Sequence, residues 1–291
     1  MKHFFSLFLI GLVLLSACTD NSEAPAPTVT IASAVETVAD GDSVGQGALM
    51  KFRLVVDGHG AHISNIVATI TDRDQMKTMM DVGVWATSLD TIVSFYKGAW
   101  DTENWTFSVM NNERLFGKAS LTIYRDPVSA YGAITTWPDI TLTFQNTDGP
   151  HFFDVETGDV LTLQEAATRP ADVDFAVYYY MDGTKPSPTF SSPGDEDAPT
   201  YYPSMNGWST LSYTKWDYVS QTTADAFDRA TNDSLLIDRY DDVWGRRKYK
   251  FAYAGWVFPF KTTNGKIGLV KVIRSDNDAA GSIQFAVKVQ Q

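Results

Sequence analysis

Short alternating segments separated by turn residues run through most of this chain, and they constrain its fold more than any other feature. β-branched and aromatic residues recur in these segments: Thr28–Ile31, Leu49–Val56, Ile63–Ile70, Trp105–Met110, Leu121–Tyr124 and Ile140–Phe144. Turn pairs such as Asp57-Gly58 separate them, and no long 3.6-residue period interrupts the series. About six to eight short antiparallel strands predict an immunoglobulin-like β-sandwich over residues 28–145.

The second half of the chain is less regular but is also rich in strand patterns. A polar run at 145–150 marks the predicted boundary, and residues 151–291 are expected to form a β-rich domain. Segments 222–230 and 232–240 open with a Thr and an Asn that suit helix N-caps, so one or two short helices are expected in this domain. The sequence therefore predicts an all-β fold in two domains.

Composition excludes several classes of function. The chain has 291 residues, with 23 Lys+Arg against 35 Asp+Glu, and a formal net charge of −12. Because phosphate binding depends on clustered Lys and Arg, we expect no nucleic-acid partner. The eight Trp, thirteen Tyr and seventeen Phe favour sizeable cores over disorder. A single cysteine excludes an intrachain disulfide and a CxxC site.

That cysteine follows a segment typical of secretion. A basic start, Met1-Lys2-His3, precedes an apolar run from Phe4 to Leu15, which is too short to span a membrane and suits the h-region of a signal peptide. The next residues, Leu15-Ser16-Ala17-Cys18, resemble the lipobox of bacterial lipoproteins. The resemblance implies a signal peptide over residues 1–17, cleavage before Cys18 and acylation of Cys18.

Residues 18–27 are rich in Pro, Asp, Glu and small residues, and they are expected to form a flexible tether behind the acylated cysteine. The acidic residues of this segment are similar to the surface-export signals of Bacteroidetes lipoproteins. Several acyl chains anchor a protein stably where one chain binds only marginally. We therefore expect a protein of the cell envelope that is lipid-anchored to the outer membrane through Cys18, with exposure at the cell surface favoured over a position facing the periplasm.

The second half also carries a family resemblance. Segment 152–160, Asp174-Phe175-Ala176, segment 260–266 and segment 281–285 occur in an order that resembles the HmuY-like lipoproteins of Bacteroidetes. The resemblance covers residues 152–291 and implies an all-β binding domain that captures haem at the cell surface.

This sequence departs from the family pattern in its ligands. Haem-binding members use paired His or Met side chains, and Val173 stands where the family has a tryptophan. After removal of the signal peptide the histidines are His59, His62 and His151, and no ligand pair transfers to this chain. We therefore predict no bound cofactor.

Enzyme and metal signatures are also missing. The sequence has no GxSxG, HExxH, phosphate loop or GxGxxG, and an Asp172/Asp174 pair on one strand does not make a glycosidase cleft. The loop with His59 and His62 lacks the further ligands that zinc needs, and the turn at 276–281 lacks a full calcium pattern. The sequence predicts neither an enzyme nor a metal site.

A group of aromatic residues in the second half is the best candidate for ligand binding. It consists of Tyr201, Tyr202, Trp208, Tyr213 and Trp216. Exposed rings in loops often mark binding sites, although the same rings can also cover a sheet beneath a long loop.

The expected function is capture of a ligand for an outer-membrane uptake system, with an outer-membrane transporter as partner. A glycan is favoured over haem because aromatic loops are present and haem ligands are not. A haem-binding HmuY-like protein and a structural or adhesive surface subunit are the alternatives.

Overall fold

The computed structural model of the protein describes residues 25–291. The predicted signal peptide, Cys18 and most of the predicted tether lie outside the described residues. Within the tether range, Pro25 and Ala26 are exposed, whereas Pro27 is buried against β-structure. Packing against the first sandwich therefore begins at Pro27, the last residue of the predicted tether.

Nineteen strands and four short α-helices make up the described part of the chain. The strands of the first half are β1 (Thr28–Ala32), β2 (Ser43–Gly45), β3 (Leu49–Asp57), β4 (Ile63–Asp72), β5 (Gln75–Ala86), β6 (Ser88–Tyr96), β7 (Thr102–Asn111), β8 (Phe116–Asp126) and β9 (Ile134–Thr143). The following elements are β10 (Phe152–Phe153), β11 (Val160–Leu161), α1 (Leu163–Thr168), β12 (Phe175–Asp182), β13 (Lys185–Ser191) and α2 (Ala198–Tyr201). The chain ends with β14 (Lys215–Asp217), α3 (Ala224–Arg229), α4 (Ser234–Arg239), β15 (Gly245–Arg246), β16 (Lys248–Tyr249), β17 (Val257–Lys261), β18 (Ile267–Ser275) and β19 (Ser282–Gln290). The predicted all-β fold is confirmed.

Strands β1 to β8 form the first sandwich. One sheet has the order β1-β3-β6 and the other the order β2-β8-β7-β4-β5. Every second residue of β3 and β7 is buried, which is the alternation that the sequence showed. Phe52 packs 4.9 Å from Trp105 and 5.2 Å from Phe107 between the sheets. A three-stranded sheet thus packs against a five-stranded sheet as a β-sandwich.

The remaining strands form a second sandwich. Its sheets have the orders β11-β10-β12-β13-β16 and β15-β14-β17-β18-β19-β9. β9 pairs with β19 from Ile134↔Gln290 to Thr143↔Ser282, and Ile140 and Leu142 enter the core of this second sandwich. The change between sandwiches therefore lies between Asp126 and Ile134, and the boundary predicted at 146–150 is wrong. Those polar residues form a turn within the second sandwich.

The helices cover the outer faces of the second sandwich. α1 begins at a capping box in which Thr162 and Glu165 satisfy each other's backbone N–H groups, and α3 begins at Thr223, which caps Ala226. α3 and α4 lie where the sequence predicted short helices, but α1 and α2 were not predicted. Between residues 25 and 291, none of these helices has the length and hydrophobicity required to cross a membrane.

One short segment connects the edges of the two sheets of the second sandwich. β15 is the edge strand of one sheet and β16 the edge strand of the other, and only Arg247 separates them. β15 pairs with β14 and β16 pairs with β13. The backbone oxygen of Arg247 also accepts a hydrogen bond from Ser192 N at 2.7 Å. Residues 245–249, the crossover segment, therefore close one side of this sandwich.

Candidate functional site

Two of the five aromatic candidates are core residues. Trp216 is fully buried between the sheets, with its ring 4.7 Å from that of Phe175. Tyr202 is 2% exposed, lies 5.0 Å from Phe152, and donates its hydroxyl to the backbone oxygen of Val177. Neither ring is accessible to a ligand, so the prediction that they bind one is wrong. They support the sheet beneath the long loop, which is the alternative that the sequence left open.

The other three candidates do not form a common surface. Tyr201 stacks on Tyr178 with ring centres 4.0 Å apart, and Trp208 packs against Phe152 at 5.4 Å, so both are half-buried on the outer face of β12. Tyr213 is exposed and lies against Arg247. Of the predicted residues, only Tyr213 is exposed, and it contacts Arg247, which lines a cavity.

That cavity is a groove of about 790 Å³ along the crossover segment. Its lining residues are Asp195, Glu196, Tyr218, Gln221, Arg246, Arg247, Lys248, Tyr249, Lys250, Phe251 and Trp256. We call it the crossover groove. It combines aromatic side chains with four basic residues in a protein of net charge −12, and it is the best candidate site in the described part of the chain.

The aromatic side of the crossover groove is built on a rigid base. Tyr249 is buried and stacks on Phe258 with ring centres 3.7 Å apart, and its hydroxyl accepts a hydrogen bond from Gln221 at 3.3 Å. Burial raises the pKa of the Tyr249 hydroxyl to about 12, so this residue stays neutral. Trp256 lies edge-on to Tyr249 at 6.4 Å and is 37% exposed. Together with exposed Tyr218, Trp256 offers open ring surface at the groove.

A strained backbone position follows the crossover segment. Phe251 has φ +60°, a left-handed conformation that costs a bulky residue about 1–3 kcal/mol. Neighbouring contacts hold it in place, because Ala252 N donates to Pro188 O at 2.9 Å and the Tyr253 hydroxyl donates to Pro186 O. Such strain persists only where the surroundings fix it, and it is concentrated at ligand sites.

The lysines of the groove are occupied by carboxylates. Lys248 pairs with Asp197 and lies 3.6 Å from Asp195, and Lys250 pairs with Asp182 at 3.2 Å. Lys248 thus connects the crossover segment to the loop after β13. Lys250, which follows the segment, connects it to the hairpin between β12 and β13. The lysines therefore stabilise the fold through ion pairs with carboxylates, and the two arginines of the groove form no such pairs within the described chain.

Arg246 and Arg247 have no carboxylate within 4.0 Å in residues 25–291. The guanidinium carbon of Arg246 lies 5.1 Å from the ring centre of Tyr218, and that of Arg247 lies 4.8 Å from the ring centre of Tyr213. Both side chains are exposed. Two unpaired cations thus stand beside the open aromatic surface.

Sequence reasoning missed this basic cluster although a signal was present. Residues 246–250 contain four basic side chains in five positions, in a chain where acidic residues outnumber basic ones. A local excess of charge opposite to the net charge is an ordinary marker of an anion site. The run itself does not reveal which members are paired, and only the structure separates the arginines from the lysines.

A second cavity, of about 820 Å³, lies between the two sandwiches. All four lysines that line it are paired: Lys77 with Asp241, Lys97 with Glu103, Lys261 with Asp242 and Lys266 with Glu156. Among its described lining residues, this cavity therefore offers an anionic ligand no unpaired lysine.

The polar loops considered for metals are occupied by local contacts. The ring of His62 stacks on Trp85 at 4.3 Å, and His59 occupies a turn with φ +52°. Asp276 accepts hydrogen bonds from Arg274 and Ser282. No group of three His, Cys, Asp or Glu side chains that could hold a metal ion occurs within residues 25–291.

Comparison with known proteins adds little to this geometry. No family model matches the chain, and a search of curated proteins gives no match. Among solved structures, the sporulation control protein Spo0M from Bacillus subtilis aligns over 57% of this chain and 79% of its own, with 9% identity and a TM-score of 0.26. A likeness at that level carries no functional argument.

Proposed function

We propose that this protein is a lipid-anchored capture protein of the outer membrane and that it binds a glycan in the crossover groove. One observation carries the proposal: exposed rings of Tyr218 and Trp256 stand beside the unpaired guanidinium groups of Arg246 and Arg247. In the cavity between the sandwiches, by contrast, every lining lysine is paired with a carboxylate.

The chemistry of a sugar suits this arrangement. A pyranose ring has an apolar face of C–H groups that packs on an aromatic ring, and its hydroxyls accept hydrogen bonds from guanidinium groups. Sites of this kind are concave and have a few fixed polar groups that orient the ligand. The 790 Å³ volume accommodates a short oligosaccharide.

The proposed anchor places this groove outside the membrane. Acylation at Cys18 would hold the chain at the outer membrane, and the first sandwich would serve as a spacer. An outer-membrane transporter is the proposed recipient of the captured ligand. These steps rest on the lipobox resemblance of residues 15–18.

The groove suits haem less well. Its lining contains no His, Met or Cys, which are the soft or nitrogen ligands that haem iron takes. Tyr249 offers a phenol oxygen, but its raised pKa opposes formation of the phenolate that would bind iron. Haem capture is therefore the weaker form of the proposal.

A structural or adhesive role has one observation in its favour. Among described strands, β5 pairs only with β4, and it carries exposed Met76 and Trp85 on a twelve-residue edge. Long apolar edge strands are templates for pairing with another chain. This second candidate function predicts binding to protein subunits and no effect of changes in the groove.

A glycan array probed with the purified protein tests the proposed function, with hemin titration in parallel. Trp256→Ala is expected to reduce glycan binding at least tenfold. Trp85→Ala is the matched control, because it removes an exposed tryptophan from the first sandwich and should leave binding unchanged. Absence of binding to every glycan, or equal loss in both variants, contradicts the proposal.

A further inference from the structure

We infer that the crossover groove is specific for glycans that carry carboxylate or sulfate groups, and that Arg246 and Arg247 bind those groups. The inference rests on the proposed function and restricts the proposed glycan to an acidic one. It is carried by the pairing state of the arginines, by their unused donors and by the rings that hold them.

The pairing state sets these two residues apart. In residues 25–291, four arginines have no carboxylate within 4.0 Å: Arg73, Arg114, Arg246 and Arg247. Arg73 and Arg114 occupy left-handed turn positions in the first sandwich, at separate hairpins. Arg246 and Arg247 are adjacent and line one groove. In an acidic protein, two unpaired cations that line one groove concentrate positive charge there.

Most of their donors are free. A guanidinium group has five N–H donors arranged as a planar fork. Arg247 uses only Nη1, which donates to Gly194 O at 3.1 Å. Arg246 also uses only Nη1, which donates to Gly245 O at 2.9 Å and reaches Val243 O at 3.5 Å. The Nε and Nη2 donors of both residues remain available for the paired oxygens of a carboxylate or a sulfate.

The supporting rings restrict the arginines before a ligand arrives. Tyr218 lies under Arg246 and is itself held edge-on by Trp244 at 6.1 Å. Tyr213 lies under Arg247, and its backbone N–H donates to Thr263 Oγ1 at 2.6 Å. A guanidinium group stacked on an aromatic face loses less freedom when it binds an anion. This arrangement favours anionic groups that present two oxygens to the guanidinium fork, as a carboxylate or a sulfate does.

One carboxylate of the groove opposes anion binding. Glu196 is exposed, lines the groove and has no basic group within 4.0 Å in the described residues. Its charge acts across solvent and repels an acidic ligand weakly. Replacement of Glu196 by Gln is therefore expected to strengthen binding of an acidic glycan, which a purely structural cluster would not do.

The test compares tetragalacturonate with its methyl ester, which lacks the negative charges, and adds a sulfated ligand of a different sugar type. Binding of tetragalacturonate and of its methyl ester is measured by calorimetry on the purified protein, together with a sulfated heparin tetrasaccharide. We expect at least one acidic ligand to bind ten times more tightly than the ester, and its affinity to fall as NaCl rises from 50 to 500 mM. The double variant Arg246→Gln/Arg247→Gln should lose this preference, whereas Glu196→Gln should bind about twofold more tightly.

Arg114→Gln is the matched control, since it removes an exposed, unpaired arginine from the β7–β8 hairpin, at the end of the first sandwich opposite to the β4–β5 hairpin that reaches Asp241, and near-UV circular dichroism checks that each variant is folded. Neutral glycans that bind as well as acidic ones overturn this inference and leave glycan capture standing. If no glycan of either charge binds, both proposals fail. Hemin binding that needs both arginines, without saccharide binding, also overturns both.

Discussion

The guanidinium carbon of Arg247 lies 4.8 Å from the ring centre of Tyr213. This contact joins the crossover segment to the loop before β14, and the Tyr213 ring also packs on Gly194, where an added Cβ would overlap it. Tyr213, which the sequence analysis predicted to bind a ligand directly, thus packs against an arginine instead. The groove depends on this pairing of ring and cation.

Trp216→Ala should destabilise the protein without a direct effect on a ligand. The ring fills the core beside Phe175, Phe258 and Phe260. Its removal leaves a cavity that costs about 3–5 kcal/mol. Tyr213→Ala removes an exposed ring and should cost roughly 1 kcal/mol or less. Urea unfolding of both variants measures the difference, and equal stabilities would show that Trp216 is not a core residue.

A fragment of residues 128–291 should fold cooperatively, whereas 145–291 should not. The shorter fragment lacks β9, so it loses Ile140, Leu142 and Phe144 from the core and leaves the backbone of β19 unpaired. Near-UV circular dichroism and thermal unfolding distinguish the two fragments. A native-like, equally stable 145–291 fragment contradicts the assignment of β9 to the second sandwich.

Local patterns predicted the strands but not their partners. Alternation in β3 and β7 and the strong strand near 173–180 are properties of a few neighbouring residues, and the structure has strands there. The pairing of β9 with β19 joins residues more than a hundred positions apart, and a polar turn such as 145–150 looks the same inside a domain as between domains. The boundary was therefore misplaced.

The sequence also could not predict which individual aromatic residues are buried. Trp216 lies on β14, whose three residues are too few to show a period of two. Arg246 and Arg247 were visible as charges, but the sequence does not show that the nearby lysines pair with Asp182, Asp195 and Asp197 while the arginines stay unpaired within the described chain. Such competition between side chains is decided by tertiary packing.

Asp174 should make stability depend on pH. Burial, with nearby Asp154 and Glu156, raises its pKa to about 7, although Val155 N donates to it at 2.9 Å. Because the pKa in the unfolded chain is close to 3.8, the folded state favours the protonated form. The stability that this group contributes is complete below about pH 4 and is lost as pH rises to 7.

Asp174→Asn removes this dependence and keeps an oxygen for Val155. We expect the unfolding free energy of the parent protein, minus that of the variant, to fall by roughly 1 kcal/mol from pH 5 to pH 8, a figure reduced for solvent access to a half-buried carboxyl. Chemical unfolding at the two pH values measures it. A constant difference would mean that Asp174 titrates normally.

Cys18→Ala should block acylation and leave an uncleaved precursor. The lipobox resemblance of residues 15–18 requires the thiol for both steps. Metabolic labelling with a fatty acid in the producing cell reports acylation, and the control variant Ser22→Ala, in the tether, should keep the label. Incorporation of the labelled fatty acid into the Cys18→Ala variant would contradict the proposed anchor.

The most direct measurement of the central claim follows the indole N–H signals of the eight tryptophans by NMR while tetragalacturonate is added. Trp256 is the one tryptophan that lines the crossover groove, and its signal is assigned by its loss in Trp256→Phe. We predict that the Trp256 signal moves and saturates, and that the signals of buried Trp105 and of exposed Trp85 on the first sandwich stay in place. Binding heat with an unmoved Trp256 signal, or shifts centred on Trp85, would contradict the crossover groove as the binding site.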